Sequence, residues 1–258
     1  GLLYLNGEMV QGLDVNHQEV LLTPGREYDA YLYFYTSPNE ITAQCRMELM
    51  WLDDAVDGLY YDLKVPLDAA RCLDKGSDAY WRILRGLERA VQLVDLRSPF
   101  SPAFYESVEA ARTCLREEFV QKDCGREAPL VHCVGHTHID VAWLWTLAQT
   151  REKVQRSFST VLRLMEQYPE YRFMSSQPQL HQYVKEEAPE LYRQILQRVK
   201  EGRWEVEGAM WLEADCNLPS GESLVRQILH GKRFMQEEFG VDSHILWLPD
   251  VFGYSAAL

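Results

Sequence analysis

Residues 131–145 read VHCVGHTHIDVAWLW. Positions 131–135 are a short apolar run with β-branched residues, which predicts a buried strand. His136, His138 and Asp140 follow, alternating with Thr137 and Ile139. Beyond Asp140 the apolar positions Leu144, Leu147, Val154, Phe158, Val161, Leu162 and Met165 fall mostly on one helical face. The polar cluster therefore sits where a strand ends and a helix begins, the edge at which α/β folds bind ligands. Two imidazoles and a carboxylate within five residues also suit a borderline metal such as zinc.

The chain around this stretch has 258 residues, enough for one large domain or two smaller ones with a real core. Its apolar fraction of 47% is that of a folded protein, and its formal net charge of −13 argues against a nucleic-acid partner, because no basic surplus exists to neutralise phosphates. No apolar run is long enough to span a bilayer, so no membrane association is expected. The opening Gly1-Leu2-Leu3-Tyr4 lacks the basic start of a signal peptide and reads as a cut inside a longer protein. Six cysteines (Cys45, Cys72, Cys114, Cys124, Cys133 and Cys216) show no CxxC pair and no regular framework. They read as reduced thiols, which points to a cytoplasmic protein.

Residues 1–76 carry strand-like runs at 2–5, 19–22, 30–35, 43–51 and 59–65, separated by turn signals at Asn6-Gly7, Pro24-Gly25 and Asp57-Gly58. Short strands at this spacing predict a β-sandwich-like N-terminal domain. Tyr31, Tyr33 and Tyr35 share one side of a strand; they would stack on a sugar or pack against a neighbouring layer. Residues 77–124 read as a helical connector, interrupted at Pro99 and Pro102, and the polar stretch 121–128 as a linker. From 125 to 258, strands at 131–135, 172–175, 203–207 and 245–248 alternate with helices at 143–167, 180–200 and 221–239. Pro169, Pro189, Gly202, Ser220 and Gly240 punctuate them. The predicted fold class is thus α/β: a sandwich-like domain followed by the first part of a parallel α/β barrel, incomplete at four strands.

Each of those strands is followed by residues suited to a site. They are His136, His138, Asp140 and Trp143 after the first, and Gln177 and Gln179 after the second. Trp211, Glu213, Asp215 and Asn217 follow the third, and Asp250 the fourth. Parallel strands bring all four ends to one edge. Asp250, between Pro249 and the turn Phe252-Gly253-Tyr254, suits a nucleophile, a general base or a metal ligand, and equally a helix N-cap. Trp143, Trp211, Phe252 and Tyr254 suit the apolar faces of a sugar. His132 and Cys133 read as core, and His181 and His230 as surface or packing residues on helices.

Residues 136–145, HTHIDVAWLW, resemble the opening motif of the family 38 glycoside hydrolases, the retaining α-mannosidases. Residues 247–255, WLPDVFGYS, resemble that family's nucleophile motif. Residues 207–223, EGAMWLEADCNLPSGES, and 2–20, LLYLNGEMVQGLDVNHQEV, are similar to its cytosolic and bacterial branch. The resemblance covers nearly the whole chain. It implies that His138 and Asp140 ligate a divalent metal, zinc or alternatively cobalt, and that Asp250 is both a ligand and the nucleophile. It also places Trp143 under the terminal mannose of a mannose-containing oligosaccharide, with Phe252 near it, while Asp215 is a candidate for binding sugar hydroxyls. Ile139 departs from the Asn common in the Golgi and lysosomal branch. The family's further His ligand and its acid/base Asp come from barrel segments this chain does not contain, so the chain alone is expected not to hydrolyse mannosides. An unfinished barrel also leaves strand edges and helix faces without partners, which predicts a homo-oligomer.

Two other readings stay open. An amidohydrolase-type barrel also places H-x-H after its first strand and would use His136 together with His138, leaving Trp143 and the WLPDVFG turn without a role. A non-catalytic carbohydrate-binding module would place the function in the first domain.

Overall fold

Asn6 and Gly7 both adopt positive φ, 52° and 83°. That is the geometry with which a two-residue turn matches the twist of a hairpin. They join β1 (Leu2–Leu5) to β2 (Glu8–Gly12), and β3 (Ala30–Tyr33) adds to the other edge of β1, making a three-stranded antiparallel sheet of order β2-β1-β3. This structure is a computed structural model, and it describes residues 1–34, 46–122 and 130–254. Among the described residues the N-terminal segment has this one sheet. Residues 19–22 and 46–51 have no ladder partner, and 43–45 lie outside the described residues, as does Tyr35. Tyr31 packs on Tyr4, directly opposite it in the ladder, at 5.8 Å between ring centroids.

The chain divides into two compact units, one of residues 1–43 with 132–258 and the other of residues 44–131. The second unit is helical: α1 (Asp54–Arg71), α2 (Asp78–Leu93) and α3 (Pro102–Leu115), followed by a π-helical turn at Arg116–Gln121. The strand expected at 59–65 is therefore helix, and the helical region begins at Asp54 instead of residue 77. The reason is local. Asp53 caps α1 by accepting from the amides of Ala55 and Val56. Leu59, Leu63 and Leu67 then recur at helical spacing toward Leu87, Val108 and Ala111, outweighing the strand preference of Tyr60, Tyr61 and Val65.

In the first unit the chain alternates between parallel strands and helices. The elements are β4 (Gly135–His136), α4 (Leu147–Gln167), β5 (Phe173–Ser175), α5 (Pro178–Glu187), α6 (Pro189–Lys200), β6 (Trp204–Val206) and α7 (Gly221–Phe239). The sheet order is β4-β5-β6, and a parallel bridge from Gly208 to Leu246 sets the fourth segment beside β6. The fold is mixed α/β with neighbouring strands in sequence order. Two expectations shorten. Residues 131–134 carry no ladder, with Val131 and Val134 exposed, and among the described residues β4 pairs with β5 alone. Residues 143–146 are outside α4, since Thr146 and Gln149 form a reciprocal capping box that starts the helix at Leu147.

The N-terminal sheet packs on α4. Arg163 Nε donates to the Val10 carbonyl at 2.8 Å, and the Gly12 amide donates to Thr160 Oγ1 at 3.2 Å. The other face of α4 supplies Val154, Phe158, Val161, Leu162 and Met165 to a core completed by Phe173, Ile195, Trp204 and Val206. Full burial of side chains of this size contributes about 1.5–3 kcal/mol each.

His181 is wholly buried in that core, 5.2 Å from the Phe158 ring and 5.1 Å from Phe239, with Nε2 at 3.1 Å from Ser175 Oγ. Burial lowers its pKa to about 3. A depressed histidine pKa means that the unfolded chain takes up a proton below about pH 6.5 that the folded chain refuses, so stability is lost as pH falls through the window from about 6.5 toward 3. Between pH 7 and pH 5 this one group should cost the folded state about 2 kcal/mol. Urea unfolding at the two pH values checks it: His181→Gln should be less sensitive to acid than the parent by about that amount, and equal sensitivity would refute the assignment.

Candidate metal and catalytic site

Alternation along 138–140 separates a core residue from two site residues. Ile139 is buried in the core, which turns His138 and Asp140 the other way, toward the end of the parallel sheet. Two buried polar groups hold the segment by its backbone. Gln177, just past β5, donates from Nε2 to the Ile139 carbonyl at 3.1 Å, and Thr150 Oγ1 donates to the Asp140 carbonyl at 3.3 Å. Asp250 arrives from the loop after the fourth segment. That loop lies against the one after β6, because the Asn217 side chain occupies the space where a Cβ on Gly253 would stand, 1.7 Å from it.

His138, Asp140 and Asp250 each present a ligand atom within 4.8 Å of the others. His138 Nε2 lies 3.1 Å from Asp140 Oδ1 and 3.5 Å from Asp250 Oδ2. One nitrogen and two carboxylate oxygens converging from three directions match the donor set of a zinc or similar divalent site. The other face of the imidazole is also occupied: His138 Nδ1 meets Glu213 Oε2 at 2.5 Å, and Glu213 Oε1 accepts from Ser176 Oγ at 2.5 Å. Partial burial alone would lower the His138 pKa, but the hydrogen bonds and negative charge of Asp140 and Glu213 outweigh it and hold it above the ordinary value.

The other candidates take separate places. His136 Nδ1 lies 3.0 Å from the Met174 carbonyl, and Trp247 Nε1 donates to His136 Nε2 at 3.3 Å. Both ring nitrogens are thus engaged away from His138, in contrast to the paired use an amidohydrolase-type site requires. Asp215 spends Oδ1 on the Asn217 amide at 2.8 Å in a local turn. Glu213, two residues earlier, is the member of that cluster that reaches the imidazole. Trp143 is 67% exposed and Phe252 92% exposed, so neither is a core residue. Trp143 stacks edge-on against Trp145, which is pinned by its own bond to Thr150 and by Lys153 over its ring. Trp211 donates to Gln179 Oε1 at 3.0 Å and packs on Phe234.

Among the described residues no helix is long and apolar enough to cross a membrane. The described cysteines Cys72, Cys114, Cys133 and Cys216 are all free thiols.

Comparison with known proteins bears on the same region. Residues 128–258 match the family model described as "Glycosyl hydrolases family 38 N-terminal domain". Over its whole length the chain is 32% identical to "Alpha-mannosidase G" of Dictyostelium discoideum, covering 25% of that protein. It is 38% identical over 86% of its length to "Alpha-mannosidase 2C1" of Homo sapiens, covering 21% of that protein. With the "Alpha-mannosidase" of Saccharomyces cerevisiae it shares 35% identity over 83% of its length and 20% of the relative. The chain therefore spans a quarter or less of the length of these curated relatives.

Proposed function

The chain belongs to glycoside hydrolase family 38, and from that premise we propose that it supplies the nucleophile and three metal ligands of a retaining, divalent-metal-dependent α-mannosidase. The observation that carries this reading is the meeting of His138, Asp140 and Asp250 within 4.8 Å, on segments 110 or more residues apart for the outer pair. In the proposed mechanism Asp250 attacks the anomeric carbon of a terminal α-mannoside. The glycosidic C–O bond breaks as a second carboxyl group protonates the leaving oxygen, and water then releases mannose from the Asp250 ester. His138, through Nε2, and Asp140 would hold zinc, or alternatively cobalt, beside that carboxylate. When bound, the ion supplies positive charge that grips the sugar hydroxyls and favours distortion of the ring toward the transition state. Trp143 and Phe252 would line the sugar's apolar face, with Asp215 near its hydroxyls.

The substrate class is a mannose-containing oligosaccharide. Free thiols support a cytoplasmic location. The sequence-ordered parallel strands support a place in the first part of an α/β barrel. The test is turnover of p-nitrophenyl α-mannoside by the full-length protein, with product configuration followed by NMR. Release of α-mannose that a chelator abolishes and added zinc or cobalt restores is expected. Chelator-insensitive turnover, or β-mannose as the first product, would overturn the proposal.

A further inference from the structure

We infer that Glu213, fixed by Ser176, is a positioning residue that sets the tautomer and ring orientation of His138 for metal binding. The inference rests on the metal-site reading above and goes beyond it, because neither residue reaches the ion-binding atoms. Glu213 has a side chain only 4% exposed, so a carboxylate there needs both oxygens satisfied. One accepts from Ser176 Oγ and the other faces His138 Nδ1, each at 2.5 Å. A carboxylate is acceptor-only, so the proton of a neutral imidazole must sit on Nδ1 to make that bond. The Nε2 lone pair is then available to an ion that Asp140 Oδ1 and Asp250 Oδ2, 3.1 Å and 3.5 Å away, would also hold.

The opposite tautomer would set two lone-pair acceptors face to face at Glu213 and present an N–H where an ion needs a donor atom. Metal-bound histidines are commonly held in this way by a carboxylate behind the ring, which both orients it and raises its basicity. The two anchors come from different strand ends, Ser176 after β5 and Glu213 after β6, so three parallel strands fix one ring.

The test measures zinc and cobalt affinity of the full-length protein by competition with a chromophoric chelator, with kcat and KM taken separately at saturating metal. Glu213→Ala should bind metal about 10–100-fold more weakly, with most of kcat regained once metal saturates. Glu213→Gln keeps an oxygen able to accept from Nδ1 and should recover affinity to within about threefold of the parent. Ser176→Ala removes the bond that fixes Glu213 and leaves one buried carboxylate oxygen without its donor; it should weaken binding by a few-fold and lower the melting temperature by only a few degrees, leaving a folded protein. It also provides the reading should Glu213→Ala fail to fold. Unchanged affinity in the folded variants, or equal loss in Glu213→Ala and Glu213→Gln, would overturn the positioning role. A parent protein that binds metal but does not cleave mannosides would sink the proposed activity and leave this inference standing. A parent that binds neither ion would sink both.

Discussion

Asp250→Asn in the full-length protein should lower kcat/KM toward p-nitrophenyl α-mannoside by at least about 10³-fold, with the fold intact. The amide keeps the shape of the carboxylate but cannot form the ester on which a retaining mechanism depends. Little stability is at stake. The Asp250 side chain is 54% exposed, and its partner is the His138 nitrogen at 3.5 Å. Exposed pairs of that kind contribute about 0–1 kcal/mol. The substitution also removes a metal ligand, and the two effects separate by titration. Lost affinity is repaired by added zinc, whereas a lost nucleophile is not. Measured at saturating metal, activity within about tenfold of the parent would show that another group attacks the sugar.

Where local rules act within a few residues, the sequence and the structure agree. Between residues 169 and 240 most helix ends carry their own signal: Pro169 past the end of α4, Pro189 at the start of α6, Gly202 at φ 69°, the Ser220 cap and the left-handed Gly240. The differences arise where a tertiary partner decides. The apolar run 131–134 reads as a buried strand, yet its residues lack a ladder partner, and hydrophobicity alone does not create one. Residues 59–65 have strand-forming tyrosines and valine, but the leucine spacing serves α2 and α3 and the segment is helical.

The site divides the same way. His138 and Asp140 are legible because alternation about Ile139 puts them on one side, and Asp250 because it follows the next apolar run in a Pro-Asp turn. Nothing in the sequence separates Glu213 from Asp215. The choice depends on how the loop after β6 bends, which brings a side chain 75 residues from His138 against its ring and leaves Asp215 capping its own turn.

The 258-residue chain on its own should cleave an α-linked mannobiose at least about 10²–10⁴-fold more slowly than the full-length protein. Retaining hydrolysis needs a second carboxyl group about 5–5.5 Å from the nucleophile to protonate the leaving oxygen. Among the described residues the carboxylates other than Asp250 that meet His138 are committed elsewhere. Asp140 shares the ligand group, and Glu213 has its oxygens engaged by Ser176 and His138. With one imidazole and two carboxylates the site should also hold metal more weakly than a site with a further ligand.

The identity of the leaving group makes the prediction specific. A sugar alkoxide leaves slowly without a proton, whereas p-nitrophenolate, a far weaker base, departs with little help. The deficit of the short chain should therefore be large with mannobiose and smaller with p-nitrophenyl α-mannoside, both at saturating zinc. Equal deficits on the two substrates would assign the loss to metal or nucleophile placement. Chelator-sensitive cleavage of mannobiose at the full-length rate would mean that the general acid lies within these 258 residues.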